Sequence, residues 1–518
     1  MSAHPVVESL AEPFGSFPQI LADWAGIQPD KIALRDNHAE LSWADMDSRI
    51  ERIAARLAET GLERGQSVAI LGTSTVNYAL AYLAAVRAGG VAAPLTTSAS
   101  PDQLEGMARD SGARHLFIDG AKLAELGEGF MRGLEHIVLD EELDSWMAPT
   151  GATAPAFDPL PGDHFNIIYS SGTTGIPKGI VHSHQMRWVQ FAPTASSYLA
   201  NGLDSQSLTS TPLYSNTTMV AFLSTLLAGG TVNIMGKFNT VEWLATAQRF
   251  GVTHTMLVPV QYQRLMDEPR FDEFDLSKLQ LKYCTSAPFS AELKAQVLQR
   301  MPGGLIEIYS MTEGGVVCLL PAHEFPDKLH TVGRPAPGSE LKVMGEDGNL
   351  VPPGEAGELV GRGPAMMQGY KNRPDKTAEA QWIDPETGEW WMRMGDIGRV
   401  DEDGFVELVG RAKDMIISGG FNIYPSDLEA ELEKDDRVAE AAVIGVPSKQ
   451  WGETPFGFVR LADGASEGDV ADIMGAMNAR VGKTQRLSAL HAIDEMPRSH
   501  IGKLLKTELR ERAERVTS

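Results

Sequence analysis

The chain has 518 residues, 43% of them hydrophobic and 22% charged, with 51 glycines and 30 prolines. That length exceeds one ordinary core and that composition excludes disordered, collagenous and coiled-coil classes, so two or more globular domains are expected. Lysine and arginine number 45 against 69 acidic residues, a net charge of −24, which argues against nucleic acid and against an anionic membrane as partners.

Met1 to Asp36 shows no basic stretch ahead of an apolar core, so no signal peptide is expected. Ser42 with Asp45 reads as a helix start; Met46, Ile50, Ile53 and Leu57 repeat at helical spacing, and Gly61 ends the run. Short apolar strands follow at Val68–Leu71, Val91–Leu95, Leu116–Ile118 and Ile137–Leu139, with helical patterns between several of them. This alternation predicts helices packed on a mostly parallel sheet. Pro149 to Gly162 reads as a loop leading into a strand at Phe165–Tyr169. Ser205 to Gly236 carries no charge, but Pro212, Asn216 and Asn233 interrupt it, so it does not span a membrane. Its centre, Met219 to Ala228, fits a buried helix. From Pro335 to Gly369 the chain is rich in glycine and proline, with strand-like runs at Leu341–Val343 and Gly357–Val360, and reads as antiparallel β. A last α/β segment begins near Arg411, and 21 of the 24 net negative charges lie before it. Two cysteines, Cys284 and Cys318, give no disulfide framework and no multi-cysteine zinc site, so a reducing, cytoplasmic setting is expected.

The stretch Tyr169-Ser-Ser-Gly-Thr-Thr-Gly-Ile-Pro-Lys-Gly179 carries the most chemistry. Glycines let backbone approach an anion closely, N–H groups and hydroxyls cradle phosphate oxygens, and Lys178 adds a point charge. A Walker loop needs Gly-Lys-Ser/Thr at its end, whereas Gly175 stands three residues before Lys178 and Gly179 follows it, so that reading fails. The string resembles the signature of the adenylate-forming superfamily of acyl- and aryl-CoA synthetases, luciferases and peptide-synthetase adenylation domains.

Companion motifs occur in the order of that superfamily over nearly the whole chain. The resemblance implies that Ser170, Ser171, Gly172, Thr173, Thr174, Gly175 and Lys178 hold ATP phosphates, and that Ser286, Ala287 and Pro288 form the adenine edge. In Tyr309-Ser310-Met311-Thr312-Glu313 it implies an aromatic ring on adenine, Thr312 on the α-phosphate and Glu313 on Mg²⁺; Glu307 joins the nucleotide set and the acyl wall. Asp396 and Arg411 would meet the ribose, Lys413 falls at the hinge, and Lys503 in Met496-Pro-Arg-Ser-His-Ile-Gly-Lys503 is the catalytic lysine. Gly419, Gly420 and Phe421 would face the pantetheine arm and Trp451 the CoA adenine, with Arg87 and Arg486 as candidates for CoA phosphates. Tyr214, Ser215, Asn216, Thr217, Met219 and Val258 would line the acyl pocket, with Ser215 where many CoA ligases carry a gating histidine. Phe421, where some aryl-CoA ligases have glutamate, leans towards fatty-acyl relatives.

The fold expected is α/β: a large N-terminal domain (1–410) of helix-covered, mostly parallel sheets with a β-rich subdomain, and a small mobile C-terminal α+β domain (411–518) with its hinge near 411–414. The function expected is an AMP-forming acid–CoA ligase using ATP, Mg²⁺ and coenzyme A on a medium-chain, alicyclic or aromatic carboxylic acid. The alternatives are an adenylating enzyme with another acceptor, such as a carrier protein or oxygen, and a non-catalytic nucleotide-binding relative. Neither nucleic acid nor an integral membrane segment is expected, and monomer and homodimer stay open.

Overall fold

The strand–helix alternation builds the two larger of four sheets in a computed structural model that describes residues 5–127, 129–170, 177–202, 204–345, 347–418, 421–499 and 502–517. Among these residues one sheet has seven strands, in the order Gly369–Tyr370, Lys178–Ser183, His164–Ser170, Val91–Pro94, Ser67–Leu71, His115–Ile118 and Glu135–Val138. Its strands from His164–Ser170 onward are mutually parallel, and Lys178–Ser183 turns back antiparallel on His164–Ser170. The second sheet has a parallel centre running through Gly304–Met311, Leu281–Cys284, His254–Leu257, Gln206–Thr209, Thr231–Ile234 and Ile32–Arg35. Both sheets are covered on two faces, so strands such as Ser67–Leu71 and Val91–Pro94 are buried at every position.

The helix expected after Ser42 spans Trp43–Glu59; the Ser42 hydroxyl accepts from the Asp45 N–H, and Met46, Ile50, Ile53 and Leu57 are buried. The charge-free stretch supplies a helix at Asn216–Leu227 with Met219, Phe222, Leu223 and Leu226 at most 1% exposed. Each such side chain stabilises the fold by roughly 1.5–3 kcal/mol. Among the described residues no helix is long and apolar enough to cross a membrane.

By compactness the chain forms two units. The first comprises Met1–His330, Pro335–Glu340 and Arg362–Met392; the second comprises Thr331–Arg334, Leu341–Gly361 and Arg393–Ser518. The second unit has its own core around Ile416, Leu428, Leu432, Val443, Val459, Ile473 and Met477. Its longest hairpin pairs Val438–Ser448 with Gly452–Leu461. Residues 393–410 pack with it because Asp396–Val400 pair antiparallel with Val406–Arg411. The limit between the units falls inside the single strand Trp390–Val400.

Candidate active site

In the first unit the phosphate-loop lysine opens a strand: Ser170 and Lys178 face each other across a hairpin. Strand–loop–strand, not strand–loop–helix, is a second reason the Walker reading fails. Ser171, Gly172, Thr173, Thr174 and Gly175 lie outside the described residues. Gly179 is required by close packing, since a Cβ there would sit 2.9 Å from Ile167 Cγ2 and 3.2 Å from Lys371 Cβ. The segment Met367–Lys371 stitches the two phosphate motifs together. The Lys371 N–H donates to the Gly179 carbonyl (2.7 Å) and the Met367 N–H to the Glu313 carbonyl (2.8 Å). Between them Tyr370 touches both candidate groups: its hydroxyl donates to Glu313 Oε1 (2.8 Å), and Lys178 Nζ stands 4.5 Å from its ring centroid. The sequence reading did not single out Tyr370. Its one signal is an aromatic residue directly after Gly369 at the end of the glycine- and proline-rich passage. Gly314, at φ 88°, lets this segment approach, because a Cβ would lie 2.0 Å from the Ala365 carbonyl oxygen.

Tyr309, Ser310 and Met311 end the strand Gly304–Met311, and Thr312 and Glu313 form the turn after it. Ser286, leading Ala287 and Pro288 off the strand Leu281–Cys284, has φ 81°, a left-handed conformation that a serine adopts at a cost. Its hydroxyl meets that of Thr217, and the Thr285 hydroxyl donates to the Ile308 carbonyl (2.6 Å), so the segment expected at the adenine edge borders the helix expected at the acyl pocket. Tyr214 and Asn216 are partly exposed there, and Ser215 caps the helix Asn216–Leu227 without a side-chain bond.

Four expected site residues have other contacts here. Met219 (0% exposed) packs in the main apolar core, and Val258 (1%) is equally enclosed. Glu307 is buried against Lys294 (2.5 Å); burial pushes its carboxyl up to about 7 while Lys294 opposes the rise. Arg87 is the clearest correction: its guanidinium binds Asp47 (2.7 Å), Glu51 (2.8 Å) and the Pro18 carbonyl (3.1 Å), so its donors are consumed by neighbouring helices rather than offered to a CoA phosphate.

In the second unit, Arg411 Nε pairs with Asp396 Oδ1 at 2.7 Å, so the two expected ribose residues are adjacent. Lys413 and Lys503 share this neighbourhood. Burial among neighbours lowers the Lys503 ammonium from its ordinary value although the residue keeps an exposed surface; Arg411 and Lys413 lower it further, and Asp396 and Asp414 oppose them. Lys413 is lowered in the same direction, by burial and then Arg411 and Arg510, against Asp414 and Asp396. Gly419 and Gly420 lie outside the described residues, but their flanks Ser418 and Phe421 are paired, and Ser418 also pairs with Gly452. Trp451, next to Gly452, therefore stands near Ser418 and its partner Phe421, which is 66% exposed. Lys483, unmarked by any motif, brings its ammonium 5.7 Å from the Trp451 ring, and Arg486 follows three residues later.

Among the described residues no group of three His, Cys, Asp or Glu could cage a metal ion. Glu313 uses one oxygen on Tyr370 and has a second hard oxygen, which fits Mg²⁺, an ion that takes one or two carboxylates with waters and phosphates.

These motifs on two such units define an AMP-forming enzyme. Residues 21–371 match the AMP-binding enzyme family and 427–503 its C-terminal domain, and the chain belongs to that family. It is 34% identical over 505 residues to a feruloyl-CoA synthase of Amycolatopsis sp, covering 95% of this chain and 99% of that protein. It is 30% identical to an indoleacetate–CoA ligase of Aromatoleum aromaticum, covering 96% and 99%. The o-succinylbenzoate CoA synthetase of Bacillus subtilis, solved with its acyl-adenylate intermediate, superposes with a TM-score of 0.80 at 26% identity, covering 95% and 98%.

Proposed function

We propose that the protein is an ATP-dependent acid–CoA ligase whose substrate is an aromatic or alicyclic carboxylic acid. In the first half-reaction the carboxylate attacks the α-phosphorus of ATP, giving acyl-AMP and pyrophosphate. In the second the CoA thiol attacks the acyl carbonyl, giving acyl-CoA and AMP. The observation that carries the reading is the gathering of Lys178 and Glu313 on Tyr370; the aryl CoA ligases and a saturated-ring propanoyl–CoA ligase among its relatives supply the substrate class. Those aryl relatives outweigh the fatty-acyl leaning drawn from Phe421.

A carboxylic acid is ionised at pH 7, so adenylation needs no general base. It needs two anions aligned and their charge offset by fixed donors and cations. Thr312 and the Ser170–Gly175 loop orient the phosphates, Lys178 neutralises the departing pyrophosphate, and Tyr309 with Ser286, Ala287 and Pro288 holds the adenine. Asp396 accepts from the ribose hydroxyls beside Arg411, and Lys503 offsets the charge that builds on the α-phosphate. Glu313 would hold Mg²⁺, which supplies charge neutralisation on phosphate oxygens when bound. The thiol is partly ionised already, so Gly419, Gly420, Phe421, Trp451 and Arg486 have a positioning task.

The working division is a nucleotide and acyl part at 1–410 and a mobile part at 411–518 that turns on Lys413 between half-reactions. The two buried free cysteines support a cytoplasmic setting. The test is pyrophosphate release against a panel of acids with and without CoA. Release with thioester formation is expected for aromatic or alicyclic acids. Release without thioester would favour another acceptor, and no release with any acid would overturn the reading.

A further inference from the structure

Arg187 lies in the helix His184–Ala200 of the first unit and is 0% exposed, yet among the described residues no carboxylate pairs with it. Its donors go to neutral acceptors: Nε to Asn166 Oδ1 (2.8 Å), Nη1 to Gln190 Oε1 (2.9 Å) and Asn216 Oδ1 (2.8 Å), and Nη2 to His182 Nδ1 (2.7 Å). A guanidinium only donates, and that settles the chemistry of its partners. His182 must accept at Nδ1, so its proton is on Nε2, which donates to the Thr312 carbonyl at 2.8 Å. Asn216 must present its oxygen to Arg187, so its two N–H donors face away from the network. Asn216 is the first residue of the helix Asn216–Leu227 and stays partly exposed, next to Thr217, whose hydroxyl meets Ser286 at the adenine edge. The buried charge costs free energy that no counterion offsets, and it polarises the amide it grips, strengthening the outward N–H groups as donors.

We propose that Arg187 turns Asn216 into a fixed hydrogen-bond donor of the acyl pocket, and that the enzyme thereby selects carboxylic acids whose acyl group carries an acceptor oxygen, such as a keto or ether oxygen. The inference rests on the acid–CoA ligase reading and narrows its substrate class. Asn216 is the specificity-determining residue. Arg187 is a positioning residue, and through His182 the same guanidinium steadies the Thr312 backbone.

The test uses two matched pairs of acids, cinnamic against 4-methoxycinnamic acid and 3-cyclohexylpropanoic against 3-(4-oxocyclohexyl)propanoic acid. Relative kcat/KM is read from pyrophosphate release. In at least one pair the acceptor-bearing acid is expected to be preferred about tenfold, the ratio that one net hydrogen bond of about 1.4 kcal/mol supplies. Asn216→Asp keeps the size and the bond to Arg187 but removes the donors, so its ratio should fall to about one, as should that of Asn216→Leu. Arg187→Met should lower the ratio too, with its melting temperature recorded to separate misfolding from lost orientation. A wild-type ratio near one in both pairs, or a preference that survives in Asn216→Asp, overturns this inference alone. Release with none of the four acids overturns it together with the ligase reading.

Discussion

Lys178 and Lys503 are the two lysines assigned to the phosphate chemistry, and the protein holds them in different ways. Lys178 begins a strand paired to its neighbour, with its ammonium over the Tyr370 ring and a segment hydrogen-bonded on to Glu313. Lys503 is tied back to Ser499, its N–H on the Ser499 hydroxyl (3.1 Å) and its carbonyl accepting from the Ser499 N–H (2.8 Å). Its ammonium is surrounded by charges of both signs. Under the proposed roles, the group that serves pyrophosphate is built into sheet register, and the group proposed to act in one half-reaction and leave for the other is steered by charge.

The largest test of that contrast is Lys503→Ala, expected to cut pyrophosphate release by a factor of at least ~100 while thioester formation from supplied acyl-AMP stays largely intact. Equal loss of both steps would mean that Lys503 is as fixed in its task as Lys178. Next comes Tyr370. Tyr370→Phe keeps the ring under Lys178 and removes the bond to Glu313, so the Mg²⁺ concentration for half-maximal rate should rise about tenfold, with weaker Mn²⁺ binding by electron paramagnetic resonance. Tyr370→Leu removes both contacts and should also raise the KM for ATP; identical behaviour of the two variants would show that the ring under Lys178 does nothing.

A smaller effect concerns the buried pair that underlies the first unit's nucleotide strand. The Glu307 carboxyl is pushed up to about 7, so the fold favours its protonated form. Its contribution is fully present below the ordinary glutamate value and is lost as pH rises through about 7. Denaturant unfolding between pH 5 and 8 should show stability falling across that range, and Glu307→Gln should flatten the slope; an unchanged slope would show that Lys294 fully compensates. The smallest effect on catalysis is expected for Arg87→Met. Its KM for CoA should stay within about twofold while its melting temperature drops, because Asp47 and Glu51 lose their partner. A tenfold rise in that KM with an unchanged melting temperature would restore Arg87 to the CoA set.

The parts legible in the sequence were those written in contiguous strings. The loop ending in Lys178, the run Tyr309 to Gly315, and the junction at Arg411 each carry their residues side by side, so type and spacing sufficed. Tyr370 was missed because its partner Glu313 is 57 residues away, and Lys483 because its relation to Trp451 exists only once the second unit has folded. Arg87 was misjudged although a signal existed: Asp47 and Glu51, four apart, lie on one face of the helix Trp43–Glu59. The helix and strand periods placed the helix after Ser42, the buried helix near Met219 and the parallel strands up to Phe165–Tyr169, because those strands are buried on both faces and read as continuous apolar runs. Compactness could not be read off, since residues 331–334 and 341–361 join the second unit by pairing across long sequence separations.

That discontinuity has a consequence for how the protein is made. Chains emerge from the ribosome N-terminus first, and domains fold as units as they appear. When residue 392 has been synthesised, every segment of the first unit exists, but the second has only its two short early pieces, 331–334 and 341–361. Those pieces wait for residues 393–518 before they gain a core. A stalled or truncated product ending near 392 would therefore hold a folded first unit and a lone strand pair, Glu340–Met344 with Gly357–Arg362, that lacks most of its next strand, Trp390–Val400, and an expression fragment beginning at 411 would lack the strand that carries Asp396.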